Sequence, residues 1–146
     1  MGFYLNGTAA YGLFRRDCAS LYYVDKTLIL EELTAAVETD YDMSGSTDAS
    51  IRENPKYISI TRPRRFGKTV MANMIASYFG KGIDSRLEFD RLKVSSFSWY
   101  QRHLNQHNVI HIVFNELPDG NPTYESYMTR IKNRLRTDLK KAYPAD

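Results

Sequence analysis

An α/β fold, a parallel sheet flanked by helices, is what this sequence predicts, and three features in chain order predict it. The run Tyr57-Ile58-Ser59-Ile60-Thr61 alternates and is rich in β-branched and aromatic residues, the pattern of a strand. Downstream, Val70, Met71, Met74, Ile75, Tyr78 and Phe79 recur at helical spacing, which predicts a helix over 69–79. The apolar run Val109-Ile110-His111-Ile112-Val113-Phe114 then predicts a second core strand. Strand, helix, strand in that order is satisfied by parallel pairing with the helix covering the sheet.

The remaining elements follow in order. Residues 11–25 read as an approach segment ending in the strand-like Leu21-Tyr22-Tyr23-Val24. Asp25 or Thr27 can cap a helix over 27–38, whose apolar positions are Leu28, Ile29, Leu33 and Val37. Residues 38–54 are polar and predict a long exposed loop. Asp40, Asp42, Ser44, Gly45 and Asp48 fall on the early positions of an EF-hand calcium loop, but Ile51 stands where its bidentate glutamate belongs, so a flexible acidic loop is the better reading.

After helix 69–79, Gly80 and Gly82 supply a stop. A short helix over 84–92 would turn Leu87, Phe89 and Leu92 inward, with Trp99 and Tyr100 packed at its end. His103, His107 and His111 stand four apart, yet His111 belongs to the strand run and no acidic or cysteine partner is near in sequence. They read as partly exposed polar residues rather than zinc ligands. Pro118, Gly120 and Pro122 break the chain before Thr123, which can cap a final helix over 124–142. Its apolar stripe is Tyr124, Tyr127, Met128, Ile131, Leu135 and Leu139, with Arg130, Lys132, Arg134, Arg136, Lys140 and Lys141 largely off it.

The chemistry sits between the first strand run and its helix, in Arg62-Pro63-Arg64-Arg65-Phe66-Gly67-Lys68-Thr69. Gly-Lys-Thr at a strand-to-helix junction has the context of a phosphate-binding loop. Gly67 lets the backbone approach an anion closely, and the N-terminal end of the helix offers free N–H groups and a partial positive charge. In this reading the Lys68 ammonium reaches the β- and γ-phosphates of a nucleotide, and the Thr69 hydroxyl ligates Mg2+. The first glycine of the usual GxxxxGKT/S pattern is replaced by Arg62, which Pro63 holds in extended geometry. Arg64 and Arg65 add two guanidinium groups, to clamp phosphate bidentately or to face a carboxylate or nucleic acid on the loop's outer side.

Two blocks carry a family resemblance: Tyr23-Val24-Asp25-Lys26-Thr27 followed by Leu28-Ile29-Leu30, and Ile60-Thr61 leading into the arginine-rich loop through Thr69. In them the chain resembles the AAA-ATPase-like domain proteins, often fused to a PD-(D/E)XK nuclease-like domain. The resemblance implies a P-loop NTPase-like parallel sheet, ATP with Mg2+ as ligands, and a loop of Arg64, Arg65, Phe66, Gly67, Lys68 and Thr69 as the nucleotide site. The family's Walker B strand is expected beyond Asp146, which makes 1–146 the N-terminal part of such a domain, truncated before that strand. Hydrolysis is then plausible only in a longer parent, since Glu116 reads as a polar residue closing a strand. The resemblance also brings Asp25 and Lys26 near nucleotide, against a plain reading of helix capping by Asp25 and a solvated Lys26.

Composition sets outer limits. With 146 residues, 13% aromatic content and eleven tyrosines, the chain can build one packed core. No apolar run reaches the ~20 residues of a membrane span, and the start lacks a secretory pattern, so the expectation is a soluble, cytoplasmic chain. The single cysteine, Cys18, reads as a small buried residue. Net charge is +3, divided as −5 over residues 1–50 and +8 over 51–146. That asymmetry permits a nucleic-acid partner. The alternative function is therefore a basic nucleic-acid-binding or regulatory module, with Arg62, Arg64 and Arg65 on backbone phosphates and no nucleotide turnover.

Overall fold

A computed structural model of the chain describes residues 2–41, 57–114 and 123–144, the side chains of 39–41 excepted. Among these residues the chain forms helices α1 (Ala9–Cys18), α2 (Ile29–Tyr41), α3 (Lys68–Phe79), α4 (Arg86–Phe89), α5 (Tyr100–His103) and α6 (Tyr124–Ala142), with a 3-10 turn at Lys93–Ser96.

The expected parallel sheet is absent among the described residues, which corrects the fold class. Residues 57–63 form no strand, and Tyr57 is 93% exposed with Ile58 and Ile60 at the surface. The run 109–114 makes no strand either. Around it are two single-residue bridges, Leu5 with Ile110 and Gly80 with His107. The reason lies in where the backbone bonds of 107–111 go. Asn6 N–H donates to Val109 O (2.9 Å) and His111 N–H to Tyr4 O (3.0 Å), while His107 N–H donates to Phe79 O and Lys81 N–H to His107 O, both at 2.8 Å. These groups are taken by the N-terminal segment and the exit of α3. Strand propensity describes fit to a pleated surface and supplies no neighbour by itself.

Residues 9–18 form a helix where an approach segment is expected. Gly12 weakens that helix locally, by about 1 kcal/mol against alanine. Burial decides in its favour: Ala10 and Phe14, one turn apart, are both buried, and the Phe14 ring stacks on Phe89 with centroids 4.8 Å apart. α1 packs on α3. The core gathers Phe14, Leu30, Met74, Tyr78, Phe79, Phe89, Val94, Tyr100 and Leu104. Tyr78 lies fully buried among these rings and donates to Tyr100 O at 2.8 Å.

Other elements shift by small amounts. α3 begins at Lys68 and α2 at Ile29, and α2 continues through 38–41, residues expected in the exposed loop. The later calcium-loop candidates, Asp42 to Ile51, and Glu116 lie outside the described residues. The helix expected over 84–92 shortens to α4, and Leu87 is exposed rather than inward, while Phe89 is buried as expected. Tyr100 is buried and donates to Asp90 Oδ1 at 2.8 Å. α6 matches 124–142, with Thr123 Oγ1 accepting from Ser126 N–H at 3.2 Å. Its buried stripe is narrower than the sequence suggests: Tyr127 and Ile131 are buried, but Tyr124 and Leu139 are exposed.

Two polar side chains brace this arrangement. Asn105, with φ 55°, donates from its amide to Ser77 O (2.9 Å) and Gly80 O (3.1 Å) and accepts from Ser85 N–H (3.1 Å), closing the C-terminal end of α3. Asp138 of α6 accepts from the backbone N–H groups of Phe3, Tyr4 and Leu5 and so fixes the N-terminal segment.

Candidate functional site

The loop 62–69 turns on two left-handed residues, Arg65 (φ 66°) and Gly67 (φ 74°). A side-chain-bearing residue in that region costs about 1 kcal/mol, so Arg65 marks a locally strained turn. Glycine adopts it freely. Gly67 caps α3, whose first helical bond runs from Met71 N–H to Gly67 O at 2.9 Å. The N–H groups of Lys68, Thr69 and Val70 therefore have no acceptor within the helix. No acidic residue occupies the first turn, so nothing there offsets the positive end of the helix.

Cations gather around this start. The Lys68 ammonium donates to Arg62 O at 2.8 Å, bridging the two ends of the loop. From the N-terminal part of the chain, the Lys26 ammonium donates to Phe66 O at 2.7 Å. Arg64 and Arg65 are exposed on the turn, Phe66 is 61% exposed, and Thr69 is exposed as the second residue of α3. Among the described residues none of Lys26, Arg62, Arg64, Arg65 or Lys68 is paired with a carboxylate. A cavity of about 360 Å³ opens beside the loop, lined by Tyr22, Tyr23, Lys26, Arg65, Phe66 and Gly67 among others.

The structure thus brings Gly67, Lys68 and Thr69 to one helix start, and separates the roles left open for Asp25 and Lys26. Asp25 braces the turn ahead of α2 instead of capping the helix itself: its Oδ1 accepts from Thr27 N–H (2.9 Å) and Thr27 O–H (2.6 Å), and its Oδ2 from Lys93 N–H (2.8 Å). Burial raises the Asp25 pKa, but these hydrogen bonds outweigh it and the net shift is downward. Lys26 is turned onto the loop instead of into solvent. Sequence spacing gives no sign of this, because the two partners are forty residues apart.

The histidines divide differently from expectation. His103 is buried, its Nδ1 lies 2.9 Å from His107 Nε2, and Glu38 Oε1 is 3.0 Å from its Nε2. Glu38 is the acidic partner that sequence proximity could not supply. Arg102 shares that carboxylate at 2.7 Å. His111 sits elsewhere, lining a second cavity. Among the described residues no group of three or more His, Cys, Asp or Glu side chains is arranged to hold a metal ion. Cys18 is half-buried, and burial pushes its thiol up to about 11, so little thiolate forms at neutral pH. Among the described residues no helix is long and apolar enough to cross a membrane.

Comparison with known proteins adds one match. The model of the AAA-ATPase-like family, described as predicted AAA-ATPase, matches residues 48–145, a span that includes the loop, α3 and α6. No curated protein and no solved structure matches. The family is one of nucleotide-binding, ATP-using proteins that usually work with Mg2+. With two thirds of its length under that match, the chain belongs to the AAA-ATPase-like family.

Proposed function

We propose that loop 62–69 binds the phosphates of ATP, with Lys68 and Lys26 as the cations nearest the phosphate chain and Arg64 and Arg65 on its outer side. One observation carries the reading: three helix-start amides lack an intrahelical acceptor inside a ring of cations that have no carboxylate partner. Such a start favours a multiply charged anion. Lys68 and Lys26 now rest on the carbonyls of Arg62 and Phe66, which are weaker partners than phosphate oxygens. Gly67 keeps the approach open, since a Cβ there would stand 2.7 Å from Lys26 Nζ. Thr69 is the residue that would hold Mg2+, which supplies charge neutralisation between phosphate oxygens.

Equilibrium dialysis of labelled ATP with the purified chain tests this, with far-UV circular dichroism to check each variant. Lys68→Ala is expected to weaken binding at least tenfold, in line with about 1.5–3 kcal/mol for a charge-assisted contact. Gly67→Ala should weaken it too, by straining the turn and displacing the Lys26 ammonium. ATP should be retained in Mg2+ at a salt concentration that releases heparin. Equal binding by Lys68→Ala, or ATP and heparin lost together as salt rises, would replace this reading with the nucleic-acid one.

A further inference from the structure

A second cavity, of about 380 Å³, lies between the N-terminal segment, α1, α3 and α6. Its lining is mixed. Ala10, Leu13, Val113, Tyr127 and Ile131 provide an apolar wall, and Arg130, Arg134, Asn73 and His111 provide polar groups. Among the described residues no carboxylate lines it. Arg130 and Arg134 stand one turn apart on α6, a like-charge spacing that is unfavourable unless something neutralises it. Among the described residues neither guanidinium meets a carboxylate, and Arg134 instead lies over the Phe3 ring, 4.8 Å from its centroid. Asp138, the next turn along, is spent on the amides of Phe3, Tyr4 and Leu5 and forms no ion pair with Arg134 among the described residues.

Asn73 is the second observation. It is 3% exposed on α3, lines this cavity, and among the described residues no hydrogen bond reaches its side-chain amide. Asn73 Oδ1 and Nδ2 are not sealed from the cavity, since the sealed unpaired side-chain atom among the described residues is Thr34 Oγ1, so the amide keeps hydrogen-bonding capacity for a polar group of a ligand there. A volume of this size suits a small organic molecule, and the apolar wall favours more than a bare inorganic ion.

We propose that this cavity binds a small organic anion, with its charged head on Arg130 and Arg134, a polar contact to the Asn73 amide, and its apolar body against Leu13, Val113 and Ile131. The site is separate from loop 62–69 and stands whether or not that loop binds ATP.

Octanoate is the probe, titrated calorimetrically into the purified chain, with octan-1-ol and inorganic phosphate as the two halves of its chemistry. Octanoate is expected to bind one per chain, with each half at least about tenfold weaker. The double variant Arg130→Gln, Arg134→Gln should weaken octanoate at least tenfold, and Lys68→Ala should leave it unchanged. In nitrogen-15 spectra of the unaltered chain, octanoate should shift the Asn73 side-chain amide and the Nε–H signals of both arginines. No binding, octanol as tight as octanoate, an unaffected double variant, or shifts confined to other residues would each overturn the proposal.

Discussion

Asp138 holds more of this protein together than its place in a basic, exposed helix suggests. Its Oδ1 accepts from Phe3 N–H at 2.8 Å and its Oδ2 from Tyr4 and Leu5 N–H at 2.7 and 3.1 Å. Burial alone would raise its pKa, but the three amides, with Lys141 nearby, outweigh burial and hold the carboxyl below the ordinary value. Replacing it by alanine orphans three amides at once. Asp138→Ala is therefore expected to reduce unfolding free energy by about 3 kcal/mol, read from urea denaturation, with Asp138→Asn in between because one amide oxygen can still accept. A loss under 1 kcal/mol would show that water replaces the carboxylate. Gly67, Lys68 and Thr69 are legible in the sequence since their chemistry lies in adjacent residues. Asp138 and Lys26 are not, because Phe3 lies 135 residues from the first and Phe66 lies 40 residues from the second.

Helices show the same division between local and distant causes. α6 was readable from its cap, its spacing and its polar face, although Tyr124 and Leu139 remain outside the packed stripe. α1 is not legible in its own sequence, which is ambiguous, because its helical state depends on burying Phe14 against Phe89. The end of α3 depends on Asn105, whose amide reaches the carbonyls of Ser77 and Gly80 that the helix leaves unpaired. Asn105→Ala should lower stability by about 2 kcal/mol and speed amide hydrogen exchange at the bridge between Gly80 and His107. Asn105→Gly should do slightly better than alanine, since glycine accepts the positive φ but supplies no side-chain bonds. If alanine and wild type exchange alike at that bridge, the side chain is not what closes the helix.

Across the molecule, acid should act in two stages. His107 and His111 have pKa values lowered by burial, with His103 and Lys81 adding to the effect at His107. The unfolded chain then binds protons more readily than the folded one. Stability is complete above the ordinary histidine value of 6.5 and declines as pH falls below it. Asp25 and Asp138, whose pKa values are lowered, add a second decline as pH falls past their ordinary value of 3.8 towards the folded values. Urea midpoints from pH 8 to pH 3 should be level at first, drop below about 6.5, and drop more steeply below about 4. His107→Gln should shrink the first stage to the part that His111 contributes and leave the second unchanged. A midpoint that rises between pH 7 and pH 5 would contradict these signs.

Amino-acid order settled what closes within a few residues: the glycine and lysine of the loop, the spacing of α3 and α6, the cap at Thr123 and the turn at Asp25. Helical hydrogen bonds and caps join near neighbours, so their causes sit side by side in the chain. Packing settled the rest. It gave the backbone of 107–111 to the N-terminal segment and the exit of α3, and 57–61 form no strand. It also laid Lys26 on the loop and Glu38 on His103. Those meetings join residues far apart in the chain, and only a folded core decides which of them occur.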